Sequence, residues 1–274
     1  MNRNPDPSRV AAAFHQKAAE YDQHVQVQKR VVANLVGSIA TSASGGAKSI
    51  LDVGTGTGAL LEKLHGCFPA AQLTGIDSAP NMCLRAQQKL GTTATIVTGD
   101  ARCLPFDGAL FDLVVSASAL QWVPDLSTAL HEMRRVLRSG GWLRLAFFCE
   151  GTLGELQHCF RDAAGRISGE RGTVTSRLHH FHTLEEVRTI VTDMDFEQCV
   201  LGVETEIDWY ADMFALLRSI KSIGAGSVAG GASSGLGWRG ILNEASRLYQ
   251  ERYGEPGRIP ATYTVLYLTA RVRL

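Results

Sequence analysis

Neither sign of charge predominates in this sequence. Lysine plus arginine number 27, aspartate plus glutamate 27, across 274 residues. No global field argues for a nucleic-acid or membrane-surface partner, and neutrality points toward a small-molecule enzyme. Paired cysteines are missing as well: Cys67, Cys83, Cys103, Cys149, Cys159 and Cys199 are scattered without a CxxC spacing. That pattern suits free thiols in a reducing compartment, each read as a small buried apolar residue. The leading segment MNRNPDPSRV has no apolar signal core, and no uninterrupted apolar run is long enough to span a bilayer. The expectation is a cytoplasmic protein with neither nucleic acid nor membrane as partner.

What is present is concentrated in Ser49 to Leu64, SILDVGTGTGALLEKL. An apolar, β-rich run ends in an acid and breaks into glycines at alternate positions, Gly54, Gly56 and Gly58, before a helix begins. A strand, a nucleotide-cradling turn and a helix are expected there. The glycines supply positive φ and bare backbone, and the helix start supplies unpaired N–H groups. Further strands are expected at Gln72–Asp77, Ala94–Gly99, Phe111–Ser116 and Trp142–Phe148, with helices at Leu60–Leu64, Ala79–Leu90 and Leu126–Leu137 between them. Repeated βα units imply an α/β fold with a mostly parallel, doubly wound sheet, and the length suits one large domain with insertions.

Helices at Ser8–Tyr21 and Val25–Ile39 precede this core. After Phe148 come a helix near Leu153–Ala164, a polar basic segment, and a helix capped by Thr183 with Glu186 three residues on. A strand is expected at Phe196–Trp209, then the helix ADMFALLRSIKSI, the Gly/Ser-rich GAGSVAGGASSGLG read as a mobile loop, a helix near Gly240–Tyr253 and a closing strand at Thr262–Val272.

The glycine turn by itself is ambiguous, because Gly54-x-Gly56-x-x-Ala59 also fits a dinucleotide fingerprint with Asp77 placed to hold a ribose. Asp52, two residues before the first glycine, would repel a pyrophosphate and instead suits an amino-acid ammonium group. Asp100 in TGDARCLPF closes the third strand, where it can meet an adenine amino group. Three acids at successive strand ends, Asp52, Asp77 and Asp100, match a cationic, diol-bearing adenosine ligand better than an anionic dinucleotide. The alternative use of each is as a turn or helix-cap aspartate.

The motifs LDVGTGTG, GID, GDARCLPF and FDLVVSASALQW together resemble those of the class I S-adenosylmethionine-dependent methyltransferases. Within that family, RVAAAFHQKAAEYDQHVQVQKRV, ALQWVPDLSTALHEMRRVLRSGGWL, GTLGELQ, LLRSIKSIGA and RIPATYTVLYLTARV are similar to the enzymes that methylate malonyl-acyl carrier protein for biotin synthesis, over nearly the whole length. One departure is Thr55, where many relatives carry Cys. The resemblance implies a Rossmann-like, mostly parallel seven-stranded sheet with helices on both faces. It also implies one domain over 1–274, in which 1–45 covers the cofactor site and 151–182 and 210–260 are helical lid insertions.

It implies S-adenosylmethionine as methyl donor and S-adenosylhomocysteine as product. The donor would be held by Asp52, Gly54, Thr55, Gly56 and Gly58, by Asp77 and Ser78 at the ribose, by Asp100 and Ala101 at the adenine, and by Ser116 and Tyr21. The acceptor would be the free carboxylate of malonyl-phosphopantetheine on acyl carrier protein, or malonyl coenzyme A. The methyl ester so formed would prime pimeloyl and biotin synthesis. A carboxylate is already ionised at neutral pH, so no general base is needed and positioning carries the rate. Competing readings are a methyltransferase for another carboxylic acid or a quinone precursor, a non-catalytic S-adenosylmethionine-binding regulator, and a nicotinamide dehydrogenase.

Arg218 and Lys221 lie at i and i+3 on a helix that otherwise buries Met213, Leu216, Leu217 and Ile220. Arg218 is the expected carboxylate anchor, with Lys221 beside it; the plain alternative is the solvated face of an amphipathic helix. Tyr21 and Phe14 are expected to cap the cofactor pocket, and Gln121 and Trp122 to line the site, unless each is core packing. His179, His180 and His182 invite a metal reading, but no acid stands at ligand spacing and no metal is expected. Arg161, Arg166, Arg171 and Arg177 form a candidate basic face for an acidic carrier protein, or are ordinary solubilising arginines.

Overall fold

The computed structural model describes residues 7–18, 21–41, 46–167, 179–225 and 236–274. Helices α1 (Pro7–Lys17), α2 (Tyr21–His24) and α3 (Gln26–Ala40) lead into β1 (Ser49–Val53), α4 (Ala59–Cys67), β2 (Gln72–Asp77), α5 (Pro80–Leu90) and β3 (Ala94–Thr98). Then follow β4 (Phe111–Ala117), a 3-10 turn at Leu120–Trp122, α6 (Leu126–Val136), β5 (Leu137–Phe148) and α7 (Gly154–Ile167). The chain closes with α8 (Leu184–Thr192), β6 (Phe196–Tyr210), α9 (Met213–Ser222), α10 (Leu236–Tyr253) and β7 (Ile259–Val272).

The seven strands form one sheet in the order β3-β2-β1-β4-β5-β7-β6. From β3 to β5 all neighbours are parallel, and β7 runs against both β5 and β6. Strand alternation divides the core into two layers. Ile50, Leu113 and Val115 face a layer shared with α3, α4, α7, α9 and α10, whereas Leu51, Val53 and Val114 face α6 and α8. The capping signals read from the sequence are made: Thr183 and Glu186 form a reciprocal capping box at 3.0 and 2.8 Å.

Three expectations are adjusted. The first helix divides into α1 and α2. Strand β5 starts at Leu137 instead of Trp142, because a bulge that includes the positive-φ Gly140 absorbs the extra residues opposite Phe111 and Leu113. Of the cysteines, Cys83, Cys149 and Cys159 are buried, but Cys67, Cys103 and Cys199 are exposed. Most of the Gly/Ser-rich stretch, residues 226–235, lies outside the described residues, as do Arg171 and Arg177.

The two excursions from the sheet meet each other. Helices α7 and α10 are joined by Arg252–Asp162 at 2.6 Å, Arg166–Glu244 at 2.7 Å and stacked Phe160 and Trp238 rings with centroids 5.9 Å apart. At the end of α9, a Cβ on Gly224 (φ +83) would lie 3.1–3.2 Å from the backbone of Ala13 and Phe14, so this glycine lets α9 close against α1. Among the described residues, no helix is long and apolar enough to cross a membrane.

Candidate active site

A cavity of about 1050 Å³ opens over the carboxyl ends of β1, β2, β3 and β4, where ligands bind in open α/β sheets. Its floor is the glycine turn. The turn is fixed by Gly54 and Thr55 N–H groups donating to the Ile76 carbonyl at 2.8 and 3.0 Å. Asp77 completes the hold by accepting from Gly56 N–H at 2.9 Å and Ala79 N–H at 2.8 Å. Burial raises the Asp77 carboxyl above its ordinary range, and these backbone donors oppose the rise. Each of its oxygens has a further lone pair for a diol.

Asp52 lines the same cavity and is 1% exposed, yet neither carboxylate oxygen has a hydrogen-bond partner. Burial pushes its carboxyl up to about 7. The Thr55 hydroxyl, nearby but outside hydrogen-bond geometry, only partly opposes this, and the Asp77 charge adds to it. A buried acid without a partner is costly unless a ligand completes it. The group that fits is a cation with N–H donors, such as the ammonium of an amino acid.

Asp100, Ala101 and Ser78 also line the cavity. Arg102 grips Asp100, with Nη2 to Oδ2 at 2.6 Å, and this holds the Asp100 carboxyl below its usual range. Over the top come Phe14 from α1 and Tyr21 from α2, with Trp122 from the 3-10 turn. Phe14 meets Tyr21 and Trp122 edge-on, with centroids 6.1 and 5.7 Å apart. Burial, then the charges of Asp77 and Asp22, raise the Tyr21 phenol and keep it protonated.

Behind these aromatic rings is a second chamber of about 40 Å³. Phe14, Tyr21, Trp122, Gln28 and Ser118 line both spaces. Gln121 lines the chamber alone, donating its amide N–H to the Ser118 carbonyl at 2.7 Å.

The structure does not bring every expected residue to the cavity. Arg218 and Lys221 are exposed on α9 and line neither space; the buried face of that helix is Met213, Leu216 and Ile220. Ser116 is buried on the opposite face of β4, where its hydroxyl donates to the Val53 carbonyl at 2.6 Å; Ala117, Ser118 and Ala119 reach the cavity instead. Gly58 turns away from it: a Cβ there would stand 2.9 Å from Leu90 and 3.3 Å from Ala86, so it serves the contact of α4 with α5. The charge of Arg166 is met by Glu244, and Arg161 is exposed.

Sequence reasoning missed Asp22, Ser118 and Arg102. Asp22 accepts from the Thr57 hydroxyl at 2.7 Å and pairs with Lys89 at 2.9 Å, latching α2 to the glycine turn and α5. Only the fold brings residues 35 and 67 positions away to Asp22. Ser118 had one available signal, a small polar residue directly after a strand. Among the described residues, no three His, Cys, Asp or Glu side chains are grouped to hold a metal.

Comparison with known proteins places this geometry in context. The methyltransferase-domain family model matches residues 51–145. The malonyl-[acyl-carrier protein] O-methyltransferase of Geobacter sulfurreducens is 39% identical, with 96% of this chain and 97% of that protein covered. The protein of the same name from Dechloromonas aromatica is 32% identical over 97% and 95%. The crystal structure of the YcgJ protein from Bacillus subtilis superposes with a TM-score of 0.59 at 16% identity, covering 88% of this chain and 99% of that one, and supports the fold alone.

Proposed function

The chain belongs to the malonyl-[acyl-carrier protein] O-methyltransferase family, and on that premise we propose that it methylates the free carboxylate of a malonyl thioester on acyl carrier protein. S-adenosylmethionine is the cofactor, and when bound it supplies an electrophilic methyl group. The unpartnered Asp52 carboxylate fits its ammonium group, and Asp77, beside the glycine turn, fits its ribose. The glycine turn brings bare backbone to the ligand, and Asp100 and Ala101 stand at the adenine end.

The observation that carries the choice of acceptor is the uncharged lining of the chamber behind Phe14, Tyr21 and Trp122. No acid, lysine or arginine lines it among the described residues. His179, which touches Trp122 with ring centroids 4.7 Å apart, is lowered to about 4 by burial, and its Nε2 faces the Gln121 carbonyl at 2.9 Å. A phenolic acceptor with pKa near 10 would need a base there, whereas a carboxylate with pKa near 4 arrives ionised. Tyr21, held protonated, is suited to donate a hydrogen bond to it. Helices α1 and α2, with α9 closed against α1, act as a lid that excludes water from the carboxylate and so keeps it nucleophilic.

The test is incubation with isotopically labelled methyl donor and malonyl-acyl carrier protein, malonyl coenzyme A or a quinone precursor, followed by mass measurement. Addition of one methyl to the malonyl thioesters, removable by mild ester hydrolysis, is the expected result. Methylation of the quinone precursor alone overturns the assignment.

A further inference from the structure

Beside Asp52 stands a second buried polar group with nothing to pair with. Thr55, the residue after the first glycine of the turn, is 5% exposed and lines the large cavity. Its Oγ1, like both Asp52 carboxylate oxygens, has no hydrogen-bond partner. A buried hydroxyl left unpaired is as unusual as a buried acid left unpaired. The fold brings the two together. Thr55 N–H donates to the Ile76 carbonyl at 3.0 Å, which fixes its backbone against β2. Gly75 pairs with Asp52 across β1 and β2, so both belong to the same face of the sheet, and a Cβ on Gly75 would stand 2.9 Å from Thr55 Oγ1. A side chain at position 75 would press on the hydroxyl; glycine makes room for it. Neighbouring strands are about 4.8 Å apart, so a hydroxyl at that point lies within reach of the Asp52 carboxylate.

We propose that Thr55 is a positioning residue that acts through Asp52: its hydroxyl donates to the ionised Asp52 carboxylate and so extends tight methyl-donor binding to lower pH. The inference rests on the reading above that Asp52 meets the ammonium group of S-adenosylmethionine. A carboxylate has lone pairs enough for both donors, the ammonium N–H and the hydroxyl O–H. The bond to Thr55 needs only a turn of the Asp52 side chain about its last torsion, which is broad and low in cost. Hydrogen bonding to a charged form favours that form; burial raises the Asp52 carboxyl, Thr55 works against the rise, and Asp77 on β2 adds to it. On the other elements that line the cavity, Tyr21 of α2 stays protonated, and for Asp22 burial is outweighed by the bonds to Lys89 and Thr57. Lys29 of α3 and Glu62 and Lys63 of α4 are exposed. None of these groups bonds to the Thr55 hydroxyl, so a change at Thr55 reaches the titration through Asp52.

Calorimetry of S-adenosylhomocysteine binding to the full chain, from about pH 5.5 to about pH 9, tests this apart from turnover. In the wild type, affinity is expected to rise with pH to a plateau. Thr55→Val keeps the shape and removes the hydroxyl. It is expected to move the midpoint of the rise up by about one pH unit, which lowers affinity about tenfold near pH 6 and less than about twofold on the plateau. A merely structural role would lower affinity by one factor at every pH. Thr55→Ser retains the hydroxyl and is expected to return the midpoint to within about 0.3 unit of the parent. Thr55→Ala serves in place of Thr55→Val if that variant does not fold. In Asp52→Asn the rise that Thr55→Val moves is expected to be absent, and adding Thr55→Val should change the profile no further; Asp77 is present in every variant, so its own titration is common to all. An Asp52→Asn variant that keeps the parental profile refutes the placement of Asp52 at the ammonium group. If Asp52→Asn loses the rise, a midpoint unmoved in Thr55→Val, or a loss uniform across pH, refutes the role of Thr55 alone.

Discussion

A Cβ placed on Gly54 would stand 2.2 Å from the Cβ of Ala119, so the glycine turn and the loop after β4 touch across the cavity floor. With φ +76 at Gly54 as well, alanine is excluded twice, by overlap and by backbone strain of about 1–2 kcal/mol. Gly54→Ala is expected to weaken S-adenosylhomocysteine binding at least about tenfold, equivalent to about 1.4 kcal/mol. Calorimetry checks this, and parent-like affinity would show that the two loops can separate at no cost.

Asp52 predicts a pH dependence. Its carboxyl titrates near 7 in the folded chain and near 4 when unfolded, so across that window only the folded form binds the proton. Stability of the ligand-free protein therefore falls as pH rises from about 4 through about 7, and Asp52→Asn flattens the fall. An ammonium-bearing ligand prefers the ionised form, so affinity should rise over the upper part of the same window with release of a proton. Calorimetry in buffers of different ionisation enthalpy measures that proton. Binding without proton release at pH 6 contradicts the role.

The Asp22 latch joins α2 to Thr57 and Lys89. Because the side chain is 45% exposed, its loss should cost only about 1 kcal/mol of global stability. The local effect should be larger: in Asp22→Ala, hydrogen exchange in Pro7–Lys17 is expected to accelerate while β1 and β4 stay protected. Unchanged exchange in α1 would mean that the contacts of His15 with Asn81, at 3.0 and 3.2 Å, suffice.

Removal of the residues before Val25 takes away Phe14 and Tyr21 but no sheet strand. The truncated chain is expected to keep its circular dichroism spectrum and to lose most turnover, since closure depends on those helices. Full activity would show that the lid does not include α1 and α2.

Arg218, exposed on α9, lines neither space, so Arg218→Ala is expected to change kcat/KM for malonyl coenzyme A less than about threefold, about 0.7 kcal/mol; a larger loss would return the guanidinium to the site.

Elements whose signals are local were legible in advance. The strand, acid and glycines of residues 49–58 specify a βα turn by themselves, because φ preference and the alternation of buried positions act over a few residues. The same holds for the Thr183 capping box and for the acids Asp52, Asp77 and Asp100 at three strand ends. Spacing failed where the outcome depended on what packs against an element. An i, i+3 pair identifies one face of α9 but not whether that face meets the cavity, and the contact made by Met213, Leu216 and Ile220 turned Arg218 outward. Strand alternation, once β4 was seated, sent Ser116 to the far face, and Ala117 with the following loop residues Ser118 and Ala119 became the lining.

The sequence by itself thus determined the strands, the turn and the acids at three strand ends, since these follow from short-range backbone and burial preferences. Only the tertiary structure decided that Asp52 is buried without a partner, that Asp22 latches the amino-terminal helices, and that a chamber with no charged side chain among the described residues lies behind Phe14, Tyr21 and Trp122. Each of these depends on groups far apart in the chain, and desolvation or enclosure exists only after they have been brought together.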